Sequence, residues 1–164
     1  MKISVDRLFD AAGEKKEFSG EVDLSTVRRH GETLWPKPLR VEGEAKNRAG
    51  IVTLRFRVTG ETLLTCDRCL KRFETAAGQE FAHTVVRSLS GEDPGDGTLV
   101  VPDGLIDLQE VVSNDLQLEL AQVILCREDC RGLCPVCGAD RNEVSCGCAG
   151  SDVDSRFDQT THRR

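Results

Sequence analysis

Tyrosine is absent from this 164-residue chain, tryptophan and methionine each occur once, and phenylalanine occurs six times. Aromatic side chains carry much of the apolar burial in a small core, so a chain this poor in them needs another constraint on its fold. Long apolar runs are missing too. The opening MKISVDRLFD alternates polar and apolar residues, and no later segment approaches the ~18 apolar residues of a membrane helix. Neither a membrane-spanning helix nor the apolar core of a secretory leader is therefore expected. The expected setting is the cytoplasm, with no membrane partner.

Catalytic signatures are also lacking. No G-x4-G-K-[ST], G-x-G-x2-G or G-x-S-x-G motif is present, so no phosphate-cradling loop or nucleophile elbow is expected, and the chain reads as a non-enzyme. His30, His83 and His162 lie away from every cysteine pair, and His83 reads as a satisfied sheet residue rather than a base.

The net charge of -6 argues against coating nucleic acid by bulk electrostatics. Its distribution is uneven. Residues 1–89 carry 16 Lys+Arg against 13 Asp+Glu, residues 90–164 carry 6 against 15, and 11 basic against 5 acidic residues fall between Leu24 and Phe73. A basic stretch of this kind can meet phosphate, while the acidic half can meet a basic protein.

Hydropathy alternates with strand period over Arg40–Ala45 and Ile51–Cys66, with Leu54, Phe56 and Val58 on one face and Arg55, Arg57 and Thr59 on the other. Residues 46–50 between them read as a hairpin loop. Further strands are expected over Glu17–Leu24 and from Phe73 to about Leu89, and Trp35-Pro36-Lys37-Pro38 reads as a rigid extended connector. Residues 90–97 read as an acidic, turn-rich loop. One main helix is expected near 107–121, capped by Asp107 with Glu110 in the capping-box position and carrying Leu108, Val111, Val112, Leu116 and Leu120 on one stripe. The fold class is therefore α+β: an antiparallel strand-rich core with one main helix and a C-terminal cysteine-rich segment. The expected division is a strand-rich domain over 1–125, a zinc-binding segment packed on it over 126–148, and a disordered tail over 149–164.

The eight cysteines are the most informative feature. They fall as Cys66-x2-Cys69, then Cys126-x3-Cys130-x3-Cys134-x2-Cys137-x8-Cys146-x-Cys148. Two intervening residues let both thiolates face one side of a tight turn, as a tetrahedral Zn2+ with Zn–S near ~2.3 Å requires. Cys134-Pro135-Val136-Cys137-Gly138 is the stronger knuckle, because Gly138 admits the positive φ that turns backbone N–H groups toward sulfur. The expected partition gives Cys134, Cys137, Cys146 and Cys148 to one zinc and Cys66, Cys69, Cys126 and Cys130 to another. A competing partition pairs Cys66 and Cys69 with Cys134 and Cys137, as in a zinc ribbon. Disulfides do not suit a reduced compartment. A thioredoxin-like pair would need a helix N-terminus, and a catalytic zinc would keep an open position. Two structural zinc sites fit best.

Three segments carry a resemblance to a known family: L-T-C-D-R-C-L-K-R-F, the helix start over Ile106–Val112, and L-C-R-E-D-C-R-G-L-C-P-V-C-G-A-D-R-N-E-V-S-C-G-C. Over about Val41–Cys148, and in the same order, they resemble the YceD family of large ribosomal RNA subunit accumulation proteins. The resemblance implies a part in making or maintaining large-subunit ribosomal RNA, with ribosomal RNA or a large-subunit precursor as partner. It implies no catalytic activity and no established binding residues. The candidate RNA contacts come instead from the basic strands and their turn: Arg55, Arg57 and Arg72. The alternative is a zinc-stapled adaptor that docks a ribosomal protein.

Overall fold

The computed structural model describes residues 1–88 and 97–148. The tail at 149–164, and the acidic loop at 90–97 apart from Gly97, lie outside the described residues. In chain order the elements are β1 (Lys2–Ser4), α1 (Asp6–Asp10), β2 (Lys15–Val22), β3 (Arg28–Arg29), β4 (Glu32–Thr33), β5 (Leu39–Arg48), β6 (Ile51–Thr65), β7 (Arg72–Val86), β8 (Thr98–Val100), β9 (Leu105–Asp107) and α2 (Leu108–Glu119). They form two compact units, neither of them one continuous stretch. The first comprises Met1–Leu64 and Glu74–Ala121; the second comprises Thr65–Phe73 and the residues from Gln122 on.

The first unit is built on a five-stranded sheet ordered β2-β5-β6-β7-β8. The β2–β5 and β5–β6 pairings are antiparallel, and the edge strand β8 runs parallel to its neighbour β7. Alternation decides which face is core: Val41, Ala45, Val52, Leu54, Phe56 and Val58 are buried while Arg40, Glu42, Arg55 and Arg57 are exposed. Onto the apolar face α2 lays Leu108, Val112 and Leu116, with Val111 and Leu120 at the margin. Burying each such side chain is worth roughly 1.5–3 kcal/mol. The helix begins where Asp107 accepts a hydrogen bond from the Gln109 backbone N–H at 3.0 Å.

The hairpin loop is shorter than expected. Lys46, Asn47 and Arg48 belong to β5, and the turn is made by Ala49 and Gly50 at φ 52° and 88°. Two consecutive positive φ values give a turn whose twist matches the strands, so the ladder can close directly. Asn47 is buried instead of capping an open loop: its Nδ2 donates to the Leu8 carbonyl at 2.5 Å, and its Oδ1 accepts from the Gly50 N–H at 2.9 Å. Trp35 likewise leaves its connector for the core, its Nε1 donating to Thr62 Oγ1 at 3.0 Å. The N-terminus supplies β1, paired antiparallel with β9, and the short α1. Among the described residues no helix is long and apolar enough to cross a membrane.

Candidate metal centres

The second unit holds all eight cysteines, and they sort into two groups. The sulfur atoms of Cys66, Cys69, Cys126 and Cys130 lie within 4.8 Å of one another, as do those of Cys134, Cys137, Cys146 and Cys148. In the first group Cys66 Sγ is 3.7 Å from Cys130 Sγ, and Cys69 Sγ is 3.6 Å from Cys126 Sγ. Four sulfurs at ~2.3 Å from a tetrahedral ion would be separated by ~3.8 Å. Each group could therefore hold a metal ion, and this grouping matches the expected partition over its zinc-ribbon rival.

Both C-x2-C pairs use one backbone turn. In the first, the Leu70 N–H donates to the Cys66 carbonyl at 2.9 Å and the Cys66 N–H donates to the Lys71 carbonyl at 3.0 Å. In the second, the Gly138 N–H donates to the Cys134 carbonyl at 2.8 Å and the Cys134 N–H to the Ala139 carbonyl at 2.8 Å. The residue after the second cysteine must turn left-handed: Leu70 at φ 59° and Gly138 at φ 73°. Glycine adopts that conformation freely and leucine does not.

Asp67 joins the first turn to the chain entering Cys126. Its backbone N–H donates to the Ile124 carbonyl at 2.8 Å, and its Oδ2 accepts from the Ile124 N–H at 2.6 Å. Arg68 Nη1 donates to the Cys130 carbonyl at 3.0 Å, while its own carbonyl accepts from Leu133 N–H at 3.1 Å. Gly132, at φ 68°, passes so close that a Cβ there would sit 2.9 Å from the Arg68 carbonyl oxygen. Phe73, Leu125 and Leu133 pack around the sulfurs.

The acid–base balance of the thiols suits a cation. Burial opposes ionisation of Cys66, yet backbone N–H groups of Cys126, Cys69 and Arg68 hold its thiol down at about 6. Cys126 is pushed up to about 12 by lost hydration and by the neighbouring thiols. Cys69 is raised as well, the lowering pull of the Lys71 backbone N–H being outweighed by burial and by Cys66 and Cys130. The second group repeats the pattern. Backbone N–H groups of Cys137 and Val136 hold Cys134 at about 6, whereas its contacts with Cys137 and lost hydration push Cys148 up to about 12, and Cys134 raises Cys146. One thiolate forms readily in each group and its charge suppresses the others. A bound cation removes that repulsion, so all four can ionise together.

The chain matches the model of the family described as "Large ribosomal RNA subunit accumulation protein YceD" over residues 54–159. The chain belongs to the YceD family. Among relatives of this YceD chain, the "Uncharacterized protein YlbN" of Bacillus subtilis (strain 168) is 26% identical over 163 residues, covering 96% of this chain and 92% of that protein. The "Uncharacterized protein ML1660" of Mycobacterium leprae (strain TN) is 29% identical over 109 residues, covering 63% of this chain and 49% of that protein. No solved structure matches the chain.

The arginines named from sequence land differently. Arg55 and Arg57 project from the solvent face of β6, where Arg57 pairs with Glu80 and stands opposite Glu42, and Arg55 stands opposite Glu44. Both line a cavity of about 600 Å³ together with Glu17, Glu42, Glu44 and Glu80, so carboxylates outnumber guanidinium groups there. Arg72 opens β7, in the second unit. The excess of basic residues in the sequence is thus interleaved with acids across the strands. Sequence reasoning missed Asn142, Asp67 and the pairing of His83 with Asp115. His83 Nε2 lies 2.7 Å from Asp115 Oδ2, each side chain is 11% exposed, and the imidazole stacks on Phe56. Asp115 falls on the helix stripe's polar side, and nothing in a linear sequence marks its approach to β7.

Proposed function

We propose that this protein is a non-enzymatic cytoplasmic factor in the synthesis, processing or accumulation of large-subunit ribosomal RNA, folded around two structural zinc ions. The observation that carries the reading is the family match over residues 54–159, which spans both four-cysteine groups. All-thiolate donor sets with four ligands leave a tetrahedral ion no open position, which favours Zn2+ in a structural role over catalysis. Metal analysis of the purified chain is expected to return two zinc ions per molecule. Deletion of the gene in its host should lower large-subunit relative to small-subunit ribosomal RNA; an unchanged ratio would refute the biological role.

For RNA contact, Arg55, Arg57 and Arg72 remain the proposed phosphate ligands. The Arg57–Glu80 pair is exposed, and such pairs are worth about 0–1 kcal/mol, so a phosphate can displace the glutamate. With Trp35 buried, base stacking on it is unavailable, and phosphate contact is the mode that fits. Joint replacement of Arg55, Arg57 and Arg72 by Glu should abolish salt-sensitive RNA association. A second reading, an adaptor for a basic ribosomal protein, is favoured by the carboxylates around the same cavity. Partners that survive ribonuclease treatment of a pull-down would select the adaptor; partners lost with the RNA would select direct RNA contact.

A further inference from the structure

Asn142 lies in the loop between Cys137 and Cys146, the loop that closes the second metal site, yet its side chain serves the first. Its Oδ1 accepts from the Arg131 backbone N–H at 2.8 Å and from Arg127 Nη2 at 2.7 Å. Both partners are obligate donors, which fixes the amide orientation and leaves Nδ2 to face acceptors. Those acceptors are Cys130 Sγ at 3.4 Å and Asp140 Oδ1 at 2.6 Å. Asp140 in turn holds the loop: its Oδ1 accepts from the Asn142 N–H, and its carbonyl accepts from Glu143 and Val144. The Leu133–Asp140 bridge and the Arg141 N–H to Gly132 carbonyl bond, 3.0 Å, tie the loop to the segment joining Cys130 to Cys134.

We propose that Asn142 is a positioning residue that makes the two four-cysteine sites bind metal cooperatively, because closing the second site's loop presents its Nδ2–H to the Cys130 thiolate of the first. The inference rests on the reading that both groups hold metal. An N–H donor on a ligating thiolate spreads its charge and fixes its rotamer, and such supporting contacts typically change metal affinity by ~10–100-fold. The segment from Arg127 to Arg131 carries Cys130 and hangs on the same amide oxygen, so an open 140–144 turn frees a ligand's backbone as well as its sulfur. Coupling of binding free energies is reciprocal, so emptying the first site weakens the second by the same factor.

The test is a Co2+ titration of the reduced full chain, followed through the thiolate-to-cobalt charge-transfer band. Four proteins are compared: wild type, Asn142→Asp, Cys146→Ser/Cys148→Ser, and all three changes together. The Asp variant keeps the acceptor and replaces the donor by a carboxylate oxygen facing Cys130. Removing the second site should weaken the first by ~10-fold or more, and Asn142→Asp should weaken the first site similarly while shifting its charge-transfer band. In the triple variant the losses should not add, since both act through one contact. Additive losses, or a first site indifferent to Cys146→Ser/Cys148→Ser, would overturn the coupling. If Asn142→Asp fails to fold, the cysteine arm alone decides, because independent binding there is sufficient to refute it. A wild-type chain that takes up fewer than two metal ions refutes instead the metal reading beneath the proposal.

Discussion

The two cysteine groups share ligand chemistry and turn geometry but differ in how the chain reaches them. Cys134 to Cys148 closes a site within fifteen residues of sequence, and its members include the exposed Cys137 and the half-buried Cys146 and Cys148. Cys66 to Cys130 closes across more than sixty, and Cys66, Cys69 and Cys130 are buried among Phe73, Leu125 and Leu133. A metal in the first group fixes a long loop and shares its stability with an apolar cluster. One in the second fixes a short loop that is tied by hydrogen bonds and has no apolar cluster of its own among the described residues. Loop length alone separates them modestly, since each doubling of loop length costs only about 0.6 kcal/mol. Burial is the larger distinction.

Removing metal altogether should have the largest effect. Structural zinc contributes on the order of 10 kcal/mol to folding of a small metal-dependent unit, so chelation should unfold the second unit as a whole. The first unit has its own core, from Ile3 to Leu116. Calorimetry with and without chelator should therefore retain a cooperative transition for the strand-rich unit and lose the other. Loss of both transitions would mean that the division into two units is not energetic.

Thiol reactivity ranks the groups against each other. Alkylation of the metal-loaded chain, read by mass spectrometry, should label Cys137, Cys146 and Cys148 first. Cys66, Cys69 and Cys130 should follow roughly an order of magnitude or more later, because they react only through local opening. Simultaneous labelling of all eight would erase the contrast.

The His83–Asp115 pair offers a control that lies wholly in the first unit. The Asp115 hydrogen bond raises the His83 pKa above its ordinary value, against the opposing effect of burial. A histidine raised on folding stabilises fully below its unfolded pKa of ~6.5 and loses that contribution as pH rises through the folded pKa. Asp115→Asn should therefore cost about 1.5–3 kcal/mol at pH 6 and less at pH 9. Thermal melts of the strand-rich unit across that range should reveal the difference, and the cysteine unit should not respond to the substitution. A matching shift in metal affinity would tie the units together.

How much of this was legible in the sequence depends on the range of the interaction. The strands of residues 40–65 and the Asp107 cap followed from local periodicity and capping chemistry, whereas ligand spacing left two partitions of the cysteines open and the fold groups them. The hairpin loop at 46–50 did not, because Asn47 has a turn-former's composition while its position is decided by the Leu8 carbonyl of a distant helix. The arginines of β6 were placed correctly on the outer face, but their cross-strand partners Glu42, Glu44 and Glu80 depend on register, which one strand's sequence does not carry. The same holds for Asp115, whose partner lies 32 residues away. For Asn142 a local signal did exist: it sits in a loop bounded by candidate ligands, where a polar side chain with both donors and acceptors often serves the surroundings of a metal site.

The smallest predicted effect compares the two turns directly. Leu70 and Gly138 occupy the same place after the second cysteine and share the same hydrogen-bond pattern, so they differ mainly in the cost of a left-handed backbone. For a residue with a Cβ that cost is about 1–2 kcal/mol. Leu70 is 64% exposed, so replacing it by glycine forfeits little apolar burial. Glycine also enlarges the unfolded ensemble, which offsets part of the gain. Leu70→Gly should accordingly stabilise the second unit by up to about 1 kcal/mol, and Gly138→Ala should destabilise it by about as much. Paired denaturation of the zinc-loaded variants measures both. Equal and opposite shifts would establish the turns as energetically interchangeable. A destabilising Leu70→Gly would mean that the leucine packs against something the shared turn does not require, and the likeness of the two knuckles would then stop at the backbone.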